Sequence, residues 1–153
     1  MVRRTGPAHP IPLFRDGRPA IILLTVCARR RSPILATPQA QRTLLKAWRK
    51  AQAWSVGRYV LMPDHLHLFC APRDPTVPLT NWIRYWKSLA SRAWPGPKTG
   101  PIWQEDFWDR QLRDGENYLN KWEYVRSNPV RAGLVRKPED WPYSGEINTL
   151  DWA

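Results

Sequence analysis

The stretch VGRYVLMPDHLHLFCA, residues 56–71, decides how the fold is read. It divides into two apolar, β-branched and aromatic runs, VGRYVLM and HLHLFCA, about the turn residues Met62-Pro63-Asp64, and so predicts a hairpin of two strands. Side chains alternate faces along a strand, so His65 and His67 project to one side while Leu66 and Leu68 point to the other. Their Cα atoms would stand roughly 6.7 Å apart at ~3.3 Å per residue. Two imidazoles can converge from there on one metal at about 2.0–2.1 Å, the zinc–nitrogen distance. The chain has only three histidines, which singles out this spacing. Taken alone, a His-x-His pair describes two hydrogen-bonded histidines on an exposed strand face equally well.

Working outward, the run AIILLTVCA (20–28) has the length and branching of a buried strand. It also matches the length of a signal-peptide core, with Val26-x-Ala28 resembling a cleavage site. The long Pro-rich stretch before it and Arg29-Arg30-Arg31 after it favour the strand. Thr37 can cap a helix with Pro38 at its first position, carrying Leu44, Leu45, Trp48 and Ala51 inward and reaching about Trp54. A second helix begins near Thr80, with Trp82, Trp86, Leu89 and Ala93 as one stripe and Arg84, Lys87, Ser88 and Ser91 opposite. The segment IWQEDFWDRQLR (102–113) reads as a fourth strand. Asp114 then opens a third helix that Asn128-Pro129 stops.

The order strand, helix, strand, strand, helix, strand predicts an α+β fold. It is a ferredoxin-like split βαββαβ antiparallel sheet with helices on one face and an appended C-terminal helix. One domain is expected over 1–153, with a mobile basic arm over 1–19 and an irregular tail over 137–153. Many functions share this fold, so function must be argued from a site.

Composition narrows the classes. Lys and Arg total 24 against 13 acids in 153 residues, a net charge of +11 and a pI near 10.4. A balance so basic points to a polyanion, nucleic acid before a membrane surface, and no run is long enough to span a bilayer. The ten Trp, five Tyr and three Phe add faces on which bases can stack, although most such rings belong in the core. Cys27 and Cys70 are too few for a disulfide framework and read as reduced, buried residues of a cytoplasmic protein.

The third helix supplies partners for the histidines. Tyr124 and Asn128 are four residues apart and share a face if the helix persists, and Lys121 continues that line. Tyr118, Trp122 and Val125 form a separate apolar stripe. Asn128, preceding Pro129, reads equally as a cap on a short turn.

The motifs YVLMPDHLHLF (59–69), WQEDFWDRQLRD (103–114) and YVRSNPVRAGLV (124–135) carry a resemblance. In this order the chain resembles the single-tyrosine HUH transposases, in particular the branch associated with repetitive extragenic palindromes (REP), over about residues 20–143. Asp64 stands where many relatives have Asn. The resemblance implies that Tyr124 is a nucleophile attacking a phosphodiester of hairpin-forming single-stranded DNA to give a 5′-phosphotyrosine. It also implies that His65, His67 and the Asn128 amide oxygen hold Mg²⁺ or Mn²⁺, although imidazoles alone suit zinc or manganese. A nucleoid-associated location follows. The tyrosine helix would serve its own metal site or that of a second copy, so monomer and homodimer both stay open. Arg3, Arg4, Arg84, Lys87, Arg110, Arg113 and Lys121 are candidate DNA contacts. Two other readings compete: a non-catalytic single-stranded nucleic-acid-binding module, and a histidine-liganded metal hydrolase in which Tyr124 is structural.

Overall fold

The computed structural model describes residues 14–15, 18–97, 100–112 and 118–150. Strands β1 (Phe14–Arg15) and β2 (Arg18–Pro19) pair as a two-stranded antiparallel ladder. Part of the expected arm is therefore a small hairpin. Strands β3 (Ile22–Ala28), β4 (Trp54–Leu61), β5 (His65–Pro72), β6 (Trp103–Gln111) and β7 (Ser144–Glu146) form a five-stranded sheet in the order β6-β3-β5-β4-β7. Every pairing is antiparallel. With helices α1 (Pro38–Lys50) and α2 (Leu79–Arg92), β3 to β6 trace the split βαββαβ path predicted from sequence. The tail expected to be irregular supplies β7, an added edge on β4.

Local chemistry explains most of the boundaries. Thr37 Oγ1 accepts from the Ala40 N–H at 3.1 Å, the capping bond that Pro38 permits by needing none of its own. The helix ends at Lys50, short of the expected Trp54. Trp54 instead opens β4, and its indole N–H donates to Val77 O at 2.9 Å. Met62 N–H donates to His65 O at 2.8 Å and closes the central hairpin. On α2 the buried stripe is Leu79, Trp82, Ile83, Trp86 and Ala90. Ala93, expected on that stripe, is exposed, because α2 ends at Arg92 and Ala93 is its C-cap.

The two faces of the sheet are covered differently. Leu24, Val26, Leu66 and Leu68 pack with Trp48, Trp82 and Trp86 of α1 and α2 in the larger core. Burying each such large side chain is worth about 1.5–3 kcal/mol. The opposite face carries a smaller cluster of Ile21, Val60, Met62, Phe69, Leu112 and Val125. Helix α3 (Tyr118–Arg126) seats there, with the Tyr118 ring 4.7 Å from that of Phe69. Helix α3 ends at Arg126, just before Asn128-Pro129, as expected, but the chain does not leave the helical region there. Ser127 stays in the right-handed region and α4 (Asn128–Arg131) follows at once, because proline in a first turn forfeits no helical bond. Among the described residues no helix is long and apolar enough to cross a membrane.

The seat of α3 depends on an irregularity in β4. Its register with β5 shifts between Val56 and Tyr59, and Arg58 N–H donates to Tyr118 Oη at 3.1 Å. Gly57 makes the approach possible, since a Cβ there would lie 2.7 Å from Tyr118 Oη and from the Leu150 side chain. Gly57→Ala is therefore expected to destabilise the protein by about 1–3 kcal/mol, read as a lowered urea midpoint. An unchanged midpoint would mean that Tyr118 is not held against β4.

Candidate active site

His65 and His67 stand on the α3 face of β5, their ring centroids 5.0 Å apart at 84°. Each ring is held through Nδ1. Asp64 Oδ1 lies 2.7 Å from His65 Nδ1, and Thr25 Oγ1 lies 2.8 Å from His67 Nδ1. The Thr25 contact follows from register, because Thr25 of β3 is the direct partner of His67. If each Nδ1 carries the proton and donates it, the Nε2 lone pair is left to coordinate, the arrangement typical of metal-binding histidines. Neither Nε2 has a partner among the described residues. Asp64 is itself braced by Arg31, whose Nε donates to Oδ2 at 2.8 Å. Burial opposes ionisation of Asp64, but the bonds from Arg31 and His65 outweigh it and hold the carboxyl below its ordinary range.

Burial, the neighbouring His65 and the Arg131 charge hold His67 down at about 3. The imidazole is therefore neutral near pH 7, the form that binds metal. A free imidazole titrates near 6.5, so between these values the unfolded chain takes up a proton that the folded chain refuses. The resulting stability is fully present above 6.5 and is lost as pH falls toward 3. In chelator-treated protein, urea midpoints of the wild type should fall more steeply across that window than those of His67→Gln. Parallel pH profiles would contradict it.

The tyrosines of α3 separate as their helical faces predict. Tyr118 is half-buried against Phe69, and desolvation pushes its phenol up to about 12. Tyr124 is 67% exposed. The Arg131 guanidinium lies over the Tyr124 ring, 4.0 Å from its centroid. The same group donates to Tyr124 O at 2.8 Å and to Asn128 Oδ1. The Arg131 charge also acts on His67, helping to keep it neutral. Asn128 is not the cap of a turn. It is the first residue of α4, its carbonyl accepting from Ala132 N–H and its amide oxygen held by Arg131.

Both imidazole rings are thus held through Nδ1, leaving each Nε2 without a partner among the described residues. Among the described residues there is no group of three His, Cys, Asp or Glu side chains that could hold an ion. Asn128, the other ligand expected from the resemblance, has its amide oxygen accepting from Arg131.

The candidate DNA contacts scatter. Arg110 pairs with Leu23 and Trp108 with Thr25, so both stand on the histidine face, and Arg110 is exposed there. Lys121 is half-buried on α3. Arg84 is exposed on α2, with the sheet between it and the histidines. Lys87 does not present an open charge. Its ammonium donates to Gln104 O at 2.9 Å, and burial lowers it to about 8. Helical periodicity placed Lys87 on the polar face, but β6 runs alongside that face and captures it. Arg3, Arg4 and Arg113 lie outside the described residues. Sequence reading missed Thr25, Arg31 and Arg131. Arg131 follows Tyr124 by seven positions and Asn128 by three, one helical face if the helix is carried through Pro129, and that continuation was the available signal.

No family model matches the chain. A REP-associated tyrosine transposase of Escherichia coli K12 is 28% identical over 133 residues, spanning 81% of this chain and 78% of that protein. A Haemophilus influenzae Rd protein given the same family designation is 30% identical over 111 residues, 61% of this chain and 63% of its own. Among solved structures, a REP-associated tyrosine transposase bound to a REP hairpin aligns with a TM-score of 0.69 at 25% identity, covering 88% of this chain and 82% of that one. A Deinococcus radiodurans R1 protein assigned to the transposases aligns with a TM-score of 0.53 at 16% identity, covering 76% and 97%, and shares the fold alone. The split sheet, the paired histidines and the exposed helical tyrosine stand in a fold shared with these transposases. In sequence and in fold the chain is similar to the REP-associated tyrosine transposases.

Proposed function

We propose that this protein cleaves and rejoins hairpin-forming single-stranded DNA through Tyr124. The observation that carries the reading is Arg131, which touches the exposed Tyr124 ring and whose charge reaches His67. Nucleophile and histidines thereby share one cationic neighbour, where a scissile phosphate would be attracted. Tyr124 Oη would attack phosphorus and lose its proton to water. The 3′ oxygen would leave as a hydroxyl, and the 5′ phosphate would stay on the tyrosine. Attack by a 3′-hydroxyl on that phosphotyrosine reverses the step and rejoins a strand. His65 Nε2, His67 Nε2 and Asn128 Oδ1 would hold Mg²⁺ or Mn²⁺, and a bound ion supplies charge neutralisation at the phosphate. The solved relative carries a REP hairpin, which supports palindromic extragenic repeat-like hairpins as substrate. The protein would act in the cytoplasm at the nucleoid.

The competing reading is a non-catalytic single-stranded nucleic-acid-binding module. Wild-type protein incubated with hairpin DNA and Mg²⁺ or Mn²⁺ decides between the two. The cleavage reading expects a covalent protein–DNA adduct that survives denaturing electrophoresis. Stable binding without any adduct would leave the binding module.

A further inference from the structure

We infer that Asp64, clamped by Arg31, is a positioning residue for His65, fixing which ring nitrogen carries the proton and tuning the site toward Mn²⁺ over Mg²⁺. The inference rests on the reading that His65 and His67 hold a divalent ion. The two histidines share a strand face but are held by different chemistry. Thr25 Oγ1, 2.8 Å from His67 Nδ1, is a hydroxyl that donates or accepts, so it suits either tautomer. Asp64 Oδ1, 2.7 Å from His65 Nδ1, belongs to a carboxylate, which only accepts. His65 Nδ1 therefore carries the proton, and Nε2 keeps its lone pair. Arg31 Nη2, 3.5 Å from the same Nδ1, is a second donor there and does not compete for it.

The clamp is built into the backbone. After β3 the chain turns through Arg29, Arg30 and Arg31. Arg30 and Arg31 both sit in the left-handed region, at φ of 57° and 55°. Two consecutive non-glycine residues in that region cost energy that the surrounding contacts must offset. Ala28 N–H donates to Asp64 O at 2.9 Å and Leu35 N–H to Pro63 O at 3.0 Å. The strained turn is thus tied on both sides to the residues that precede His65. It delivers Arg31 Nε to Asp64 Oδ2 at 2.8 Å, which leaves Oδ1 to the imidazole.

A carboxylate has an acceptor oxygen for each partner, whereas an amide has one oxygen and one donor group. With Asn at position 64, Arg31 and His65 would compete for that oxygen. An amide –NH₂ turned toward Nδ1 would favour the proton on Nε2, the tautomer that binds no ion. A carboxylate behind an imidazole also makes the ligating nitrogen more basic. Arg31 and Asp64 together carry no net charge, so their long-range pull on a cation is small and the effect passes through the ring. It is greatest for ions that bond readily to nitrogen. Mg²⁺ takes oxygen ligands and keeps its waters, whereas Mn²⁺ opens the first-row series of ions that accept imidazole.

Two readouts at neutral pH test the clamp in wild type, D64N and R31N/D64N. ¹⁵N NMR of metal-free protein reports the His65 tautomer and, in the same spectrum, the fold. Mn²⁺ electron paramagnetic resonance with Mg²⁺ competition reports ion affinity. Asn tolerates the left-handed backbone, so the change at position 31 adds no strain. Wild type should hold His65 with the proton on Nδ1. D64N should shift it toward Nε2 and weaken Mn²⁺ about tenfold, with a smaller loss for Mg²⁺. R31N/D64N frees the amide oxygen for His65, and should recover the Nδ1 proton and part of the Mn²⁺ affinity. A merely structural role for the pair gives no such rescue. An unaltered tautomer in D64N, equal losses for both ions, or no recovery in the double variant would overturn the inference. Wild-type protein that binds neither ion would instead refute the metal site, and the ion preference with it.

Discussion

Tyr124→Phe is expected to eliminate the covalent protein–DNA adduct altogether, while Tyr118→Phe retains it. The two tyrosines share one helix but occupy different physical settings. Tyr124 is exposed, with Arg131 over its ring and the Asn128 side chain one turn on. A phenol there can reach a strand bound at the surface, and removing its single oxygen leaves nothing to form the phosphotyrosine. Tyr118 is packed on Phe69, accepts a backbone hydrogen bond from Arg58 and is pushed up to about 12 by burial. It is neither accessible nor readily ionised. Tyr118→Phe should therefore cost stability, about 0.5–1.5 kcal/mol for the hydrogen bond, and leave chemistry alone. Mass spectrometry of the trapped adduct checks the pair. A DNA-modified peptide containing Tyr118, Tyr59 or Tyr85 would overturn the assignment of Tyr124.

The second large effect is expected at the histidines. His65→Ala or His67→Ala should abolish strand cleavage in Mg²⁺ or Mn²⁺ while single-strand affinity stays close to wild type, and chelator should reproduce the defect. Affinity is expected to come chiefly from cationic side chains and stacking, whereas the imidazoles are proposed to serve the ion. Groups behind the ligands should matter in graded fashion. Thr25→Val removes the oxygen that orients His67, and losses of about 10–100-fold in metal affinity are usual for such partners. Cleavage by either alanine variant at the wild-type rate would dismiss the metal site. Cleavage by Thr25→Val at unchanged metal requirement would dismiss the orienting role only.

Local sequence was sufficient where a single element settles the matter. Strand alternation placed His65 and His67 on one face, and Thr37-Pro38 marked the start of α1 through a capping bond that spans three residues. The 3.6-residue period separated Tyr118 from Tyr124 before any packing was known. These features depend on bonds and angles within one segment, so they can be read without knowing what the segment meets.

Tertiary structure decided everything that depends on which faces meet. Thr25 stands behind His67 through the register of β3 on β5, 42 positions apart in sequence. Arg31 reaches Asp64 across 33 positions. Lys87 looked like a surface cation until β6 ran past it, and Arg84 proved to lie across the sheet from the site. The tail gained a strand because the open edge of β4 offered unpaired backbone groups to Ser144–Glu146. Arg131 came to lie over the Tyr124 ring because α4 carries the chain on past Pro129. Periodicity tells a side chain which way to point, whereas register and packing choose what waits on that side.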